Sequence, residues 1–264
     1  MVLNNATDIR IGTTQASKVY MGSVQVWPPV SHYGPMSISG TLSSSANIRF
    51  TLNGSLSTKS YITTSSGSGV FSRSNYTPPV INSLYTFWKS DYSSGTGDNN
   101  QVYITSLNVD FGNNTDQCTD MSMAFQGLKN CTSLTITNLD TSACTNMQLM
   151  FGQSQGTNVA ANKWTTLDLS NFDTSLVTKM DGMFARSKSL LTLNISNWNM
   201  NNVGTSYSNM FLDCDVLSTI TMNNVTNSVF NKITDYSRSK LPTSVSIVRD
   251  GVTYRYNSSQ DAWV

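Results

Sequence analysis

The run Leu167-Asp168-Leu169-Ser170-Asn171-Phe172-Asp173-Thr174-Ser175-Leu176-Val177-Thr178-Lys179-Met180-Asp181-Gly182-Met183-Phe184 carries two periodicities in succession. Leu167 and Leu169 alternate with polar residues, the pattern of a strand with one buried face. Met180, Met183 and Phe184 then sit at i, i+3 and i+4, one face of a helical turn. Thr178 precedes that turn, where an N-cap hydroxyl is useful.

Outward from this run the pattern recurs. The turn segment reappears as Thr119-Asp120-Met121-Ser122-Met123-Ala124-Phe125, as Thr145-Asn146-Met147-Gln148-Leu149-Met150-Phe151 and as Thr205-Ser206-Tyr207-Ser208-Asn209-Met210-Phe211. The strand segment reappears as Leu134-Thr135-Ile136-Thr137-Asn138, Leu193-Asn194-Ile195-Ser196-Asn197 and Ile220-Thr221-Met222-Asn223-Asn224. Phe leads its strand by nine residues in units one, three and four and by sixteen in unit two, which carries an insertion around Gln155 to Ala161. Asn138, Asn171, Asn197 and Asn224 fall on the inward parity, where an amide satisfies backbone groups of the neighbouring coil. Internal repetition at this period denotes a solenoid. The expectation is about four coils over residues 105 to 230, with Leu134, Leu167, Leu193 and Ile220 in one column.

These residues resemble the BspA-type, or mycoplasma-lipoprotein-type, leucine-rich repeat of bacterial surface proteins and some phage proteins. In that family Cys commonly follows Phe by three residues. Cys214 does so here, whereas Leu128 and Ser187 hold that place in other units. The resemblance covers residues 105 to 230 and implies a right-handed solenoid used for adhesion or as a scaffold.

The expected fold is mainly β. Residues 1–29 form an N-terminal attachment segment, 30–104 a small immunoglobulin-like β-sandwich, 105–240 the solenoid and 241–264 a C-terminal β-hairpin cap. Sandwich strands are expected at Met36 to Ser39, Ile48 to Leu52, Tyr61 to Thr63, Val70 to Ser72 and Leu84 to Trp88, with a linker at Ser94 to Asn100. Asp250-Gly251 between alternating strands signals the tight hairpin of the cap. The first residues hold their own tandem, Ile11-Gly12-Thr13-Thr14-Gln15-Ala16 and Met21-Gly22-Ser23-Val24-Gln25-Val26.

Composition agrees with strands and turns. Ser, Thr and Asn number 40, 32 and 28 of 264 residues, all 15 acids are Asp, and no Glu occurs. Glu favours helices, while Thr, Asn and Asp favour strand surfaces, turns and caps. A net charge of +1 provides no phosphate-seeking surface, so nucleic acid is not expected as a partner. No basic start followed by an apolar run and no long apolar stretch is present, so neither a standard signal nor membrane insertion is expected.

No catalytic, cofactor or metal residues are expected. The sole histidine, His32, lies far from Cys118, Cys131, Cys144 and Cys214, and no CxxC pair occurs. Asp168 and Asp173 offer a carboxylate pair of the glycosidase kind, yet both belong to the ordinary repeat pattern, so a glycan-degrading hydrolase ranks last. Cys118 and Cys144 occupy equivalent places that Val177 fills in unit three, which points to buried free thiols over a disulfide. Phe172, Trp198 and Trp164 fall in apolar columns and read as core.

What faces outward on the strands is a grid of short polar side chains: Ser133, Thr135, Thr137, Thr166, Asp168, Ser170, Thr192, Asn194, Ser196, Thr219, Thr221 and Asn223. This is the candidate ligand-facing surface. In the attachment segment, Ile9, Ile11, Val19, Tyr20, Met21, Val24, Val26 and Trp27 are too apolar to leave in water, and short strands expose edges for strand addition by another subunit. The segment from Ile11 to Pro28 and the closing Tyr254 to Val264 resemble termini of tailed-phage virion proteins. The resulting expectation is a non-enzymatic virion component at the virion surface, a tail or head fibre or a decoration subunit. It would bind other virion proteins through its N-terminal segment, form a homo-oligomer and touch host-surface glycan or protein. The alternative is a bacterial cell-surface adhesin.

Overall fold

A computed structural model describes residues 10–11, 14–15, 19–21, 24–27, 34–43, 48–53, 59–62, 69–78, 81–85, 87, 103–153, 162–236 and 241–264. The chain falls into two compact units, Met1–Tyr33 and Gly34–Val264. In the first, β1 (Arg10–Ile11) pairs antiparallel with β2 (Thr14–Gln15), and β3 (Val19–Met21) with β4 (Val24–Trp27). Ile11 stands opposite Thr14 and Met21 opposite Val24, so the sequence tandem maps onto two hairpins.

The second unit is mainly β, with little helix, and contains a β-solenoid of about five turns. It opens with β5 (Met36–Leu42), β6 (Ile48–Thr51), β7 (Lys59–Ile62) and β8 (Val70–Tyr76). Met36, Ile38 and Leu42 alternate inward along β5 and are buried. This strand lies between β8 and β9 (Ile104–Asp110), antiparallel to both, and β10 (Ser133–Thr137) runs parallel to β9 on its far side. The region expected as a separate sandwich thus gives its first strand to the sheet that begins the solenoid. The expected strand from Leu84 is a turn instead: Leu84 N donates to Asp120 O across to the next segment, and Phe87 N donates back to Leu84 O. Trp88 and the linker expected at Ser94 to Asn100 lie outside the described residues.

Further along, β11 (Thr166–Asp168), β12 (Thr192–Asn194), β13 (Thr219–Thr221) and β14 (Ser246–Arg249) form a parallel ladder. Leu167, Leu193, Ile220 and Ile247 stand in register and are all buried. The expected column is therefore corrected at Leu134. That residue pairs with Leu107 of the first sheet, and β10 and β11 belong to different sheets. The seven-residue difference in spacing that precedes β11 is where this wall is interrupted. After β13 come one short helix, α1 (Asn227–Asn231), and a π-helical turn, Lys232–Tyr236. Then β14 turns through Asp250 and Gly251, both at positive φ, into β15 (Val252–Asn257), and β16 (Ala262–Trp263) pairs with β15. The expected hairpin closes the last coil.

The opposite wall of the solenoid corrects the helical turns. After each of these Thr residues the chain makes two consecutive tight turns. Met150 N donates to Met147 O and Gly152 N to Leu149 O, with equivalents in the other units. The Phe amide between them is spent outside its own segment: Phe125 N donates to Met150 O, Phe151 N to Met183 O and Phe184 N to Met210 O. An α-helix needs those donors for itself, so none forms. The Thr hydroxyls do not cap. Thr145 Oγ1 donates to Thr119 O at 3.0 Å and Thr178 Oγ1 to Thr145 O at 3.1 Å, tying coil to coil.

Inside, the Phe column is a stack. Phe125, Phe151, Phe184 and Phe211 lie with successive centroids 5.4, 6.0 and 5.6 Å apart and planes within 10° of parallel. Each ring is fully buried. Phe184 touches a ring on both sides and Trp198 as well. Phe184→Ala should lower unfolding stability by about 3–5 kcal/mol, the range for emptying a packed aromatic site. Chemical denaturation reads this directly, and a loss near zero would contradict the stacked-core description.

Candidate functional site

The polar grid is partly a surface and partly a set of corner closures. Ser133, Thr135 and Thr137 are exposed on β10, in the first sheet. Thr166 and Asp168 are exposed on β11, and Thr192, Asn194, Thr219 and Thr221 are half-buried on β12 and β13 of the second sheet. The twelve residues therefore do not form one continuous face. Ser170, Ser196 and Asn223 lie beyond the ends of their short strands. Ser196 is 7 % exposed, and its Oγ donates to Asn194 Oδ1 and accepts from Asn223 N.

Asp168 behaves likewise. Its Oδ1 accepts from both the backbone N and the Oγ of Ser170, at 3.0 and 2.7 Å. The Ser170 hydroxyl bond holds its carboxyl below the ordinary carboxylate value. Asp173 Oδ1 accepts from Ser175 N at 2.9 Å. Both carboxylates are thus used by turns two residues on, and the same geometry recurs at Asp110, Asp120 and Asp140. Hydrogen-bonded to the backbone, such a group closes a loop.

The recurrent Asn positions are also corrected. Asn138, Asn171, Asn197 and Asn224 are exposed, not inward. Three of them adopt positive φ, where Asn is tolerated better than other side chains. Their amides nonetheless link coils: Asn138 Nδ2 donates to Asp110 Oδ1, Asn197 Nδ2 to Ser170 O and Asn224 Nδ2 to Asn197 Oδ1. The inward polar column is threonine, which the sequence reading missed. Thr115, Thr141 and Thr174 are buried and donate to Asp140 O, Asp173 O and Asn199 O of the next coil.

Trp164, Phe172 and Trp198 are buried, as their columns imply. Of the attachment residues, Ile11, Val19, Tyr20, Met21, Val24, Val26 and Trp27 lie on the paired strands β1, β3 and β4. Ile9 and His32 lie outside the described residues. Among the described residues no group of three or more His, Cys or Asp is placed to hold a metal, and no helix is long and apolar enough to cross a membrane.

A feature the strand pattern did not signal is a cleft of about 170 Å³ on the turn wall, between units two and four. It is floored by Gly182 and Ala185 and walled by Leu149 and Leu212, with Gln148, Gln153, Asp181, Arg186 and Asn209 at its sides.

With this geometry established, the comparison with known families is informative. The profile described as "Mycoplasma protein of unknown function, DUF285" matches residues 100–223 and 166–240, more than half of the chain. The chain belongs to this family. The DUF285 match spans β9 to the π-helical turn, the segment whose residues resemble the BspA-type repeat. No curated protein and no solved structure gave a match to the chain.

The cysteines of this DUF285 chain are structural. All four are free and buried. Cys118, Cys144 and Val177 are equally buried in equivalent places. The thiols donate to carbonyls, Cys131 Sγ to Ser133 O and Cys214 Sγ to Phe184 O, both at 3.1 Å. Ser187, which replaces that Cys in unit three, makes the same inter-coil contact to Phe151 O. Burial pushes Cys118, Cys131 and Cys214 up to about 12 and Cys144 to about 11, from an ordinary 9.0. A folded-state pKa above the unfolded one means that stability is intact below pH 9 and falls as pH rises toward 11 or 12. Thiol reagents at pH 8 should label none of the four in the native protein and all four in denaturant without reductant. Two labelled thiols would mean a Cys118–Cys144 bridge.

Proposed function

We propose that this DUF285 chain is a non-enzymatic structural and binding protein of a bacteriophage virion, a tail or head fibre or a decoration subunit, that presents its solenoid for host-surface contact. The observation that carries the reading is the separate Met1–Tyr33 unit, built of two hairpins with strands of two to four residues. A unit of this size falls below the roughly 40 residues at which domains fold alone without disulfides or metals, and short paired strands keep outer edges that another subunit can extend. The hairpins therefore act as an anchor and oligomerisation device. The solenoid supports a display role because its recurrent carboxylates close turns and its thiols are buried, leaving mainly short polar side chains on the outer side of its strands.

A second reading, a bacterial cell-surface adhesin, is favoured by the description of the matched family as a Mycoplasma protein. The two readings share the solenoid and differ in what the hairpins hold.

The test compares the full chain with one beginning at Gly34. Light scattering should show an oligomer for the full chain and a folded monomer for the shorter one, and only the full chain should enter particles. Oligomerisation that survives the deletion would remove the anchor role. Gold-labelled antibody on intact uninfected cells, with unlabelled particles, would select the adhesin.

A further inference from the structure

The cleft on the turn wall exists because unit three is notched. The position held by Met123 and Leu149 in units one and two is Gly182 in unit three, and all three backbones have positive φ. A Cβ at Gly182 would lie 2.8 Å from Leu149 Cδ2. The position after the Phe is Gln126 in unit one, Gly152 in unit two, Ala185 in unit three and Leu212 in unit four, and Gly152 is itself backed against Gly182 O, so the room lies over Ala185. The missing side chains leave an indentation with an apolar floor between Leu149 and Leu212.

Polar groups converge on its sides. Gln153 is 1 % exposed, its Nε2 donates to Asn162 Oδ1 at 2.8 Å, and its Oε1 has no hydrogen-bond partner among the described residues. That oxygen is itself covered, so Gln153 backs the cleft wall without presenting a group to a ligand. Asp181 Oδ1 accepts from Ser208 N and Oγ, which fixes the carboxylate and leaves a second oxygen with acceptor capacity. Gln148 and Asn209 each add an amide, donor and acceptor together.

Charge narrows the ligand. Arg186 is paired with Asp213, Nε to Oδ2 at 3.2 Å, so its charge is balanced and Asp181 leaves the rim slightly negative. Phosphate, sulfate and carboxylate are disfavoured. The volume lies below the roughly 300–1,000 Å³ of pockets for drug-sized molecules. We propose that this cleft binds a single neutral sugar unit, with Gln148, Asp181 and Asn209 bonding its hydroxyls and Leu149 and Leu212 covering its C–H face. The inference deepens the host-contact reading and rests on it for its biological setting, while moving the contact from the strand grid to the turn wall.

The test is saturation-transfer NMR on the full chain with glucose, galactose, mannose, rhamnose and N-acetylglucosamine as free sugars. At least one should bind. Ala185→Leu, which copies the side chain that unit four carries in this place, should weaken it at least about tenfold, as should Gln148→Ala at the cleft side. The paired change Thr166→Ala and Thr192→Ala should leave binding unaltered. Absence of transfer to all five sugars, or binding that survives both cleft variants, would overturn the site. If instead the Thr166 and Thr192 changes abolish binding, the cleft is wrong and host contact through the grid stands. Sugar binding in the cleft of a chain that neither oligomerises nor enters particles would sink the virion reading and keep the site.

Discussion

The decisive constraint is that each coil gives its corner hydrogen bonds to the next coil. Phe125, Phe151 and Phe184 donate their amides to Met150, Met183 and Met210, and the Thr hydroxyls beside them reach back to the previous coil. This sets the advance per coil near the strand spacing of about 4.8 Å. Rings placed once per coil are thereby brought into near-parallel contact, and a large aromatic column becomes the natural filling for a narrow core. Ring stacking and lateral bonding reinforce each other, because neither can be stretched without loosening the other.

The same constraint explains the composition. A tight corner leaves amides two residues on in need of an acceptor, and Asp and Asn have the reach for that bond. Asp110, Asp120, Asp140, Asp168 and Asp173 all make it. Glu carries an extra methylene that lengthens this short reach, which gives a physical reason for Asp at these five positions. Carboxylates spent in this way are turn residues that happen to be numerous.

Strands were legible because Leu167, Leu193 and Ile220 alternate cleanly with polar residues. The corners were misread because two successive tight turns point residues inward at the same i, i+3 and i+4 spacing as a helix. Only the destination of the Phe amide separates the two, and that lies in another coil. Strand parity points Asn171 and Asn197 inward, but the strands end at Asp168 and Asn194, before parity reaches them. The buried threonines had a visible sign, the repeated Asp140-Thr141-Ser142 and Asp173-Thr174-Ser175. The cleft is read only by asking where Gly182 is smaller than Met123 and Leu149 and Ala185 smaller than Leu212, since a missing side chain disturbs no periodicity.

The interrupted strand wall between β10 and β11 bears on how the array holds together. In a stacked protein, stability is a sum of coil terms and contacts between neighbours. Most neighbours here are joined along both walls. Across this seam the described bonds come from the turn wall and from Thr141 to Asp173, while Leu134 and Ile136 are only partly buried. The strand wall therefore contributes least to coupling at this joint. What carries the array across the seam is the turn wall and the Phe125–Phe151 stack at 5.4 Å, so loss of either would be felt there more than at any joint where two walls share the work.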